Sequence, residues 1–264
     1  MRQVIATVVG NERVAAGTHV LRLREPHISA HASPGQFVHI RCVPISPSGS
    51  TPSDPLLRRP LSILDLYPEL GEFAVLLDVV GRGTDWLSRV AAGEKLDVLG
   101  PLGRPFGLRP TTRRALLIGG GIGIVPLVAL ARYAAARDVE VTLVAGFRDA
   151  SKVIPASIVP AEAEYIVATD DGSVGRHGYA PAVAAEYLPW ADQVFACGPL
   201  PMLRALARME RPRRLPVQVS MEEHMGCAMG VCLGCVIRTR KGYERVCRDG
   251  PVFDINHIDW QEGI

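Results

Sequence analysis

The sequence predicts a multidomain β plus α/β protein, with an N-terminal antiparallel β-barrel, a parallel α/β domain and a small C-terminal cysteine-rich domain. Three observations predict this order. Short apolar runs between Gly and Pro clusters fill residues 1–110, strands alternate with helices over residues 111–216, and residues 217–264 hold four cysteines and no long periodic element. At 264 residues, the chain is long enough for two domains and a small third one.

The barrel is predicted from apolar or alternating runs at residues 4–9, 19–23, 36–42, 61–64 and 72–80. Many short strands with turn signals between them are typical of a β-barrel or a β-sandwich. A short helix is expected over residues 85–90. Residues 43–55 are rich in Pro and Ser and indicate a flexible loop, and we expect the domain to end at residues 107–112.

The second domain begins with the continuous apolar run at residues 115–118, followed by glycines and a helix over residues 126–137. Further strands are predicted at residues 139–145, 165–169 and 193–197, and a helix at residues 201–209. Strands that alternate with helices imply a parallel sheet. The uncharged stretch 115–131 is shorter than the roughly 20 residues of a membrane span and contains Pro126, so no span is expected.

The net charge and the N-terminal sequence argue against a nucleic-acid-binding protein and against a secreted protein. There are 29 basic and 27 acidic residues, a formal net charge of +2, so the basic surface of a nucleic-acid-binding protein is not expected. The N-terminus alternates like a strand and lacks the apolar core of a secretory signal. Four cysteines crowded together in such a chain favour metal ligation in a reducing compartment, which predicts a cytoplasmic location.

The four cysteines are Cys227, Cys232, Cys235 and Cys247, with the spacing C-x4-C-x2-C-x11-C. The first two gaps match the start of the plant-type [2Fe–2S] pattern, whereas the short last gap does not. A zinc site of four cysteines usually has two C-x2-C pairs, and only one is present here. Zinc and unligated thiols remain open as alternatives. The other two cysteines, Cys42 and Cys197, are expected to be small buried residues.

Glycines follow the first strand of the α/β domain. Gly119, Gly120, Gly121 and Gly123 lie between an apolar strand and a helix, where backbone amides can meet a phosphate. A tight structural turn is the alternative interpretation. Cys197-Gly198-Pro199 ends another predicted parallel strand, and ligands of open α/β sheets bind at such strand ends.

Two segments of the barrel contain groups suited to phosphate. Arg58-Arg59-Pro60-Leu61-Ser62 offers a fixed fork of donors for phosphate oxygens, and Ser62 can donate to a ring nitrogen. Gly81-Arg82-Gly83-Thr84 is a turn whose amides can meet a phosphate. Each segment also has an ordinary interpretation, as solvated surface for the first and as a β-turn before a helix for the second.

In this order the motifs resemble the ferredoxin–NADP reductase superfamily over residues 1–215. The tail sharpens the resemblance, because Met221-Glu222-Glu223-His224-Met225-Gly226-Cys227 and Cys247-Arg248-Asp249-Gly250-Pro251-Val252-Phe253 are similar to the electron-transfer subunits of NAD-dependent, class 1B dihydroorotate dehydrogenases. The resemblance then covers essentially the whole chain.

The resemblance implies FAD in the barrel, NAD as co-substrate on the α/β domain, and a [2Fe–2S] cluster on the four cysteines. It assigns nine residues to the flavin: Arg59, Pro60, Leu61, Ser62, Leu76, Leu77, Asp78, Gly83 and Thr84. The glycines 119–121 and 123 and Cys197, Gly198 and Pro199 are assigned to the nucleotide. No side chain is expected to act as an acid or base in dihydroorotate oxidation.

The resemblance also implies a partner, an FMN-containing dihydroorotate dehydrogenase catalytic subunit, in a heterotetramer with two copies of each chain that serves pyrimidine (UMP) biosynthesis. Met221, Met225 and Met229 are the candidate contact surface, and Glu222 and Glu223 are expected to be solvated or to contact the partner. An NAD preference is expected from Asp149 after the second α/β strand, where an acid can bind a ribose hydroxyl and repel a 2′-phosphate. The alternative is that the neighbouring Arg148 does the reverse and favours NADP.

Two alternatives remain. One is a related flavin and iron–sulfur NAD(P)H reductase subunit, serving a hydrogenase or a transhydrogenase-like complex. The other is a zinc-stapled nucleotide-binding regulator without redox function.

Overall fold

The N-terminal part of the chain is a closed antiparallel β-barrel in a computed structural model that describes residues 1–45 and 54–261. Most of the predicted flexible loop at residues 43–55 lies outside the described residues. In spatial order the barrel strands are β1, β2, β5, β4, β3 and β6. Their bounds are β1 Arg2–Ala15, β2 Thr18–Arg24, β3 Phe37–Ile40, β4 Arg59–Tyr67, β5 Glu72–Asp78 and β6 Lys95–Leu102. Two short helices accompany them, α1 Pro26–His31 and α2 Arg82–Leu87.

Period-two alternation decides which side chains fill the barrel. On β3, Val38 and Ile40 are buried in the barrel core, whereas Phe37 packs outside it against the cysteine-rich segment. His39 shares the outer face with Phe37 and is also buried. Burial, together with the charge of Arg58, lowers the pKa of His39 to about 4. The predicted interior position of Cys42 agrees with its place in the barrel core.

The second sheet combines six parallel strands with one antiparallel strand. In spatial order these are β10, β9, β8, β7, β11, β12 and β15. Their bounds are β7 Arg114–Gly120, β8 Glu140–Phe147, β9 Ala163–Thr169, β10 Arg176–His177, β11 Gln193–Cys197, β12 Val217–Ser220 and β15 Val252–Asp254. The helices are α3 Ile124–Ala135, α4 Ala180–Ala184 and α5 Leu200–Arg208, and β13 Val236–Thr239 pairs with β14 Gly242–Arg245 in a separate hairpin. The predicted parallel α/β sheet is confirmed.

The cysteine-rich segment is continuous with this sheet. Strands β12 and β15 come from residues 217–264, yet β12 pairs in parallel with β11 and β15 pairs antiparallel with β12. Cys235 and Cys247 belong to one core that also contains Phe37 of the barrel. The divisions of the chain at residues 110 and 216 stay predictions, and the α/β sheet extends past the second of them.

A buried glutamine ties the barrel exit to the sheet. Gln193, at the start of β11, accepts a hydrogen bond from the Thr112 hydroxyl at 2.8 Å and donates to the Gly107 carbonyl at 2.8 Å. A buried polar side chain is stable only when such partners are present. The joint that the sequence predicted at residues 107–112 is therefore fixed against the middle of the sheet. Within the part of the chain that the structure describes, every helix is too short or too polar to cross a lipid bilayer.

Candidate functional site

Two turns meet at the carboxyl edge of the parallel sheet. Strands β7 and β11 are neighbours, so the turn at Gly119–Gly123 lies beside Cys197, Gly198 and Pro199. A Cβ atom added to Gly123 would lie 2.5 Å from the Cys197 carbonyl oxygen and 2.6 Å from the Gly198 Cα atom. Only glycine permits this approach, because those contacts are with backbone that cannot move aside. The fold thus brings together both segments that the sequence assigned to the nucleotide.

The first cavity, called here the interdomain cleft, has a volume of about 840 Å³ and lies between the barrel and the sheet. Thr18, Leu76 and Asp78 line it from the barrel. The α/β side contributes Gly120, Gly121, Ile122, Phe147, Arg148, Lys152, Asp170, Tyr179, Pro199 and Met202, among others. A crevice outside the carboxyl ends of parallel strands is where open α/β sheets bind their ligands.

One lysine bridges the two walls of the interdomain cleft. The Lys152 amino group donates to the Ala16 carbonyl at 3.0 Å and lies 3.7 Å from the Asp78 carboxylate, which also accepts from the Thr18 hydroxyl. Asp78 therefore faces the interdomain cleft, and its assignment to the flavin by the resemblance stays a prediction.

The acid expected to select NAD is not among the residues that line the interdomain cleft. The Asp149 carboxylate accepts from the Ser151 backbone N–H at 2.8 Å and from the Ser151 hydroxyl at 2.6 Å, so it caps its own turn. Asp170, which directly follows β9, lines the cleft instead. The sequence carried a signal for this position, since Asp170 also follows a predicted parallel strand.

The second cavity, called here the barrel cavity, has a volume of about 1060 Å³ and lies between the outer face of β4 and the segment that follows β12. Its walls include Arg59, Pro60, Leu61, Ser62 and Leu76 of the predicted flavin residues, together with Phe37, Ile122, Cys197, Glu222, Glu223, His224 and Met225. Leu76 and Ile122 line both cavities, so the two spaces share a wall.

The remaining predicted flavin residues lie outside the barrel cavity. Leu77 is buried in the barrel core, because it alternates with Leu76 along β5. Gly83 and Thr84 are buried in the turn that starts α2, where the Thr84 hydroxyl accepts from the Val80 N–H at 3.0 Å. Gly83 nevertheless lies directly against the Arg59 guanidinium.

The two arginines of the barrel motif have different roles. Arg58 donates to the Asp97 carboxylate at 2.7 Å and to the Asp97 carbonyl at 2.9 Å, so its charge is used inside the barrel wall. Arg59 donates to backbone carbonyls of the preceding residues and has no acidic partner among the described residues. Of the two, Arg59 is the guanidinium available for a phosphate at the edge of the barrel cavity.

A thiol and a carboxyl group meet inside the barrel cavity. The Cys197 Sγ atom lies 3.7 Å from the Glu222 Oε1 atom. Burial raises the pKa of Cys197 well above its usual value, and the Glu222 charge adds to this. Burial likewise raises the pKa of Glu222, which lines the cavity but keeps an exposed surface. The sequence expectation that Glu222 and Glu223 are solvated or face a partner stays a prediction, since Glu222 is exposed and both residues line the cavity.

The four thiols form an outer and an inner pair. Cys232 is exposed and Cys227 half-buried, whereas Cys235 and Cys247 are buried. The Cys227 Sγ atom accepts from the Met229 and Cys232 backbone N–H groups, both at 3.4 Å. Burial opposes ionisation of Cys227, yet these N–H groups and that of Val231 lower its pKa to about 6. In the inner pair the Cys247 N–H donates to the Cys235 Sγ atom at 3.5 Å.

This donor set fits an iron–sulfur cluster. Four thiols in two pairs, with backbone N–H groups directed at sulfur, match the thiolate ligands and the N–H···S contacts of such centres. Among the described residues, no group of three or more His, Cys, Asp or Glu side chains is close enough to hold a metal ion, so the fit rests on the pairing of the thiols and on their N–H contacts. The thiol-bearing segment lies beside the barrel cavity, since Gly226 and Gly234 line that cavity.

A cavity of about 1060 Å³ against the barrel, beside a cleft at the carboxyl edge of a parallel sheet, is consistent with the reductase class of oxidoreductases. The NADH-dependent reduced ferredoxin–NADP oxidoreductase, a solved structure, is similar at 28% sequence identity with a TM-score of 0.83, covering 97% of this chain and 90% of that one. A ferredoxin reductase of carbazole 1,9a-dioxygenase matches with a TM-score of 0.66 at 27% identity, over 80% of this chain and 67% of that one.

Relatives of higher sequence identity show which family within this class the chain belongs to. A dihydroorotate dehydrogenase B (NAD(+)) electron transfer subunit from Geobacillus thermodenitrificans is 41% identical over 257 residues, 96% of each chain. The same subunit from Desulforamulus reducens is 36% identical over 97% of this chain and 98% of the relative. The chain therefore belongs to the family of dihydroorotate dehydrogenase B (NAD(+)) electron transfer subunits. Residues 222–259 match the iron–sulfur cluster binding domain of dihydroorotate dehydrogenase B.

These findings confirm the resemblance and the fold class expected from the sequence, and the chain is an oxidoreductase subunit. They also support the expected cofactors, FAD and a [2Fe–2S] cluster, with NAD as the nucleotide substrate. A subunit that transfers electrons implies a catalytic partner.

Proposed function

We propose that this protein passes electrons from an FMN-containing dihydroorotate dehydrogenase catalytic subunit, through a [2Fe–2S] cluster and FAD, to NAD+ in pyrimidine biosynthesis. The supporting observation is the direct adjacency of three environments: the thiol segment, the barrel cavity and the interdomain cleft. Bound FAD supplies the exchange between the hydride of the nicotinamide and single electrons. The chain itself provides position, electrostatics and exclusion of water.

In this proposal the barrel cavity holds FAD. Arg59 binds a phosphate of the cofactor beside Gly83, and Pro60, Leu61, Ser62 and Leu76 contact the apolar part. The wall that Leu76 and Ile122 share with the interdomain cleft is where the nicotinamide approaches the flavin. Cys197 and Glu222 line that side of the cavity, and burial raises the pKa values of both, so the Cys197 thiol stays protonated near neutral pH.

The interdomain cleft is proposed to hold NAD, with Gly120, Gly121 and Pro199 near its phosphates. Asp170 takes the role that the sequence gave to Asp149. A carboxylate at the end of a strand accepts from a ribose hydroxyl and opposes a 2′-phosphate, so it favours NAD over NADP.

The catalytic partner is proposed to cover the outer pair of thiols, in a cytoplasmic heterotetramer with two copies of each chain. Cys232 is exposed between Val231 and Leu233, whose exposed fractions are 76% and 59%, and Met229 is also exposed. A cluster of exposed apolar residues is typical of a protein-binding surface. Met221, expected from the sequence to join it, is buried at 3% exposure and packs in the core instead.

The purified protein tests this proposal first. We expect the visible absorption of a flavin and a [2Fe–2S] cluster, with matching iron and sulfide content after anaerobic preparation. Folded, colourless protein without iron would contradict the proposal. Co-purification with a protein that binds FMN and oxidises dihydroorotate tests the partner.

Replacing a cluster cysteine separates the two halves of the path. In Cys232→Ser we expect loss of electron flow to the partner, while NADH-to-dye activity through the flavin persists. Cys42→Ser is the matched control, because that thiol is buried in the barrel core away from the cluster. Equal loss of both activities in Cys232→Ser would contradict the assigned order of cofactors.

A further inference from the structure

One arginine holds together the irregular chain that carries the thiols. No helix or strand occurs from Met221 to Cys235, so this stretch has no ladder of its own. The Arg245 Nη1 atom, at the end of β14, donates to the Gly230 carbonyl at 3.1 Å. The Nε and Nη2 atoms of the same guanidinium donate to the two Asp249 carboxylate oxygens at 2.8 and 3.2 Å.

The loop is fitted closely into this arrangement at Gly230. Its φ angle is +81°, and a Cβ atom there would lie 2.7 Å from the Arg248 Cδ atom. The carbonyl of Gly230 meets Arg245, and its Cα atom faces the methylene groups of Arg248. The path of the chain between Cys227 and Cys232 is therefore set by two arginines that flank Cys247 in sequence.

Arg245 also closes the turn that carries the inner thiol Cys247. Its carbonyl accepts the N–H groups of Arg248 at 3.2 Å and Asp249 at 2.8 Å, and its own N–H donates to the Asp249 carboxylate at 2.9 Å. Within that turn the Cys247 N–H donates to the Cys235 Sγ atom. Both sides of the thiol site are thus linked to one residue.

The two side chains bring opposite charges beside the inner thiols. The N–H of Val246, next to Arg245, donates to the Cys235 carbonyl at 2.9 Å, and Arg245 and Asp249 each lie two residues from Cys247. Reduction adds one electron, and so one negative charge, to a four-thiolate centre whose cysteines stay deprotonated. A nearby cation favours the reduced form, and a nearby anion opposes it, so net charge and hydrogen bonds around the sulfurs tune such potentials.

We propose that Arg245 and Asp249 are a positioning pair for the cluster, in which Arg245 fixes the thiol loop and the two opposite charges together set the reduction potential. This inference rests on the cluster assigned under the proposed function. Neither residue ligates iron. They act through Gly230, Cys235 and Cys247.

Charge substitutions separate this role from a purely structural one. Arg245→Gln and Asp249→Asn both remove the ion pair, yet they leave charges of opposite sign beside the thiols. We expect the potential, from a redox titration followed by the electron paramagnetic resonance of the reduced cluster, to fall in Arg245→Gln and to rise in Asp249→Asn. The expected size is about tenfold in the ratio of reduced to oxidised protein at fixed solution potential, or about 59 mV for one electron.

Arg240→Gln is the matched control, because it removes the same charge at the exposed turn of the hairpin, a strand's length from Arg245. Its potential should equal that of the unmodified protein. Shifts of the same sign in Arg245→Gln and Asp249→Asn, or no shift in either, would overturn the inference.

Iron and sulfide assays of each variant show whether it still holds the cluster. If Arg245→Gln loses its cluster, Arg245→Lys keeps the charge without the fork, and its potential should stay near that of the unmodified protein while Asp249→Asn still rises. A potential in Arg245→Lys that differs from the unmodified value as much as Asp249→Asn does would overturn the inference. Absence of iron from the unmodified protein would instead refute the proposed function.

Discussion

Substituting Gly123 with alanine tests whether the contact between the two turns forms the shared wall of the cavities. The added Cβ atom would lie 2.5 Å from the Cys197 carbonyl oxygen and 2.6 Å from both the Cys197 carbonyl carbon and the Gly198 Cα atom. All three are backbone atoms at the junction between the end of β11 and the turn that follows it. Relief requires that this turn, which carries Cys197 into the barrel cavity and Pro199 into the interdomain cleft, move by about 1 Å to reach ordinary contact distance.

The cost follows from the nature of the contact. Overpacking of a well-packed site costs typically about 1–3 kcal/mol, and a clash with backbone on both sides belongs at the upper end. A loss of about 3 kcal/mol corresponds to a fall in Tm of roughly 6–12 °C for a domain of about 150–250 residues. Because Pro199 and Cys197 move together, we also expect weaker NADH binding and easier loss of flavin.

The assay is thermal unfolding of the flavin-loaded protein, with an NADH titration of the same sample. Gly10→Ala is the control, because nothing lies within 4 Å of a Cβ atom at Gly10. If Gly123→Ala keeps the Tm within 1–2 °C of the unmodified protein, estimated from the same relation, and binds NADH unchanged, the packing argument is refuted.

Two further predictions concern buried charge and nucleotide choice. His39 has a folded pKa of about 4, below its unfolded value, so the unfolded state takes up a proton first as the pH falls. The free energy of unfolding should therefore drop by about 3 kcal/mol between about pH 6.5 and pH 4, estimated from 1.36 kcal/mol per pKa unit. In urea titrations His39→Leu should lose this part of the pH dependence, and parallel curves for the two proteins would argue against it. Asp170→Ala should relax discrimination against NADPH by about tenfold in kcat/KM, as expected when one charge repulsion of about 1.4 kcal/mol is removed. Asp149→Ala is the control and should leave the discrimination unchanged. An equal effect of both substitutions would contradict the placement of Asp170.

Periodicity and turn residues predicted most of the fold, and the exceptions have physical causes. Strand β6 was absent from the predictions, because Gly100 and Pro101 interrupt an otherwise alternating run that closes the barrel. The pairing of β12 and β15 with the α/β sheet could not be predicted either. Both strands are four residues or fewer, and their register depends on neighbours far away in sequence.

For the site, spacing identified the thiols, because four cysteines within a short stretch need no tertiary information to be noticed. The flavin residues were harder. Leu76, Leu77 and Asp78 are consecutive, and the resemblance treated them alike, whereas period-two geometry places Leu77 in the barrel core. The place of Glu222 on the barrel cavity could not be predicted, because nothing local distinguishes a carboxyl group beside a cavity from one on open surface.

The register of strand β5 decides which of its side chains face the two cavities. Leu76 faces both cavities, Leu77 faces the barrel interior, and Asp78 faces Lys152 across the cleft. A register shift of one residue would turn the Asp78 carboxylate into the barrel interior and Leu77 toward the cavities. Insertions and deletions within this strand should therefore abolish activity even where the barrel still folds. Changes of length should be tolerated at the hairpin ends and not within the strand.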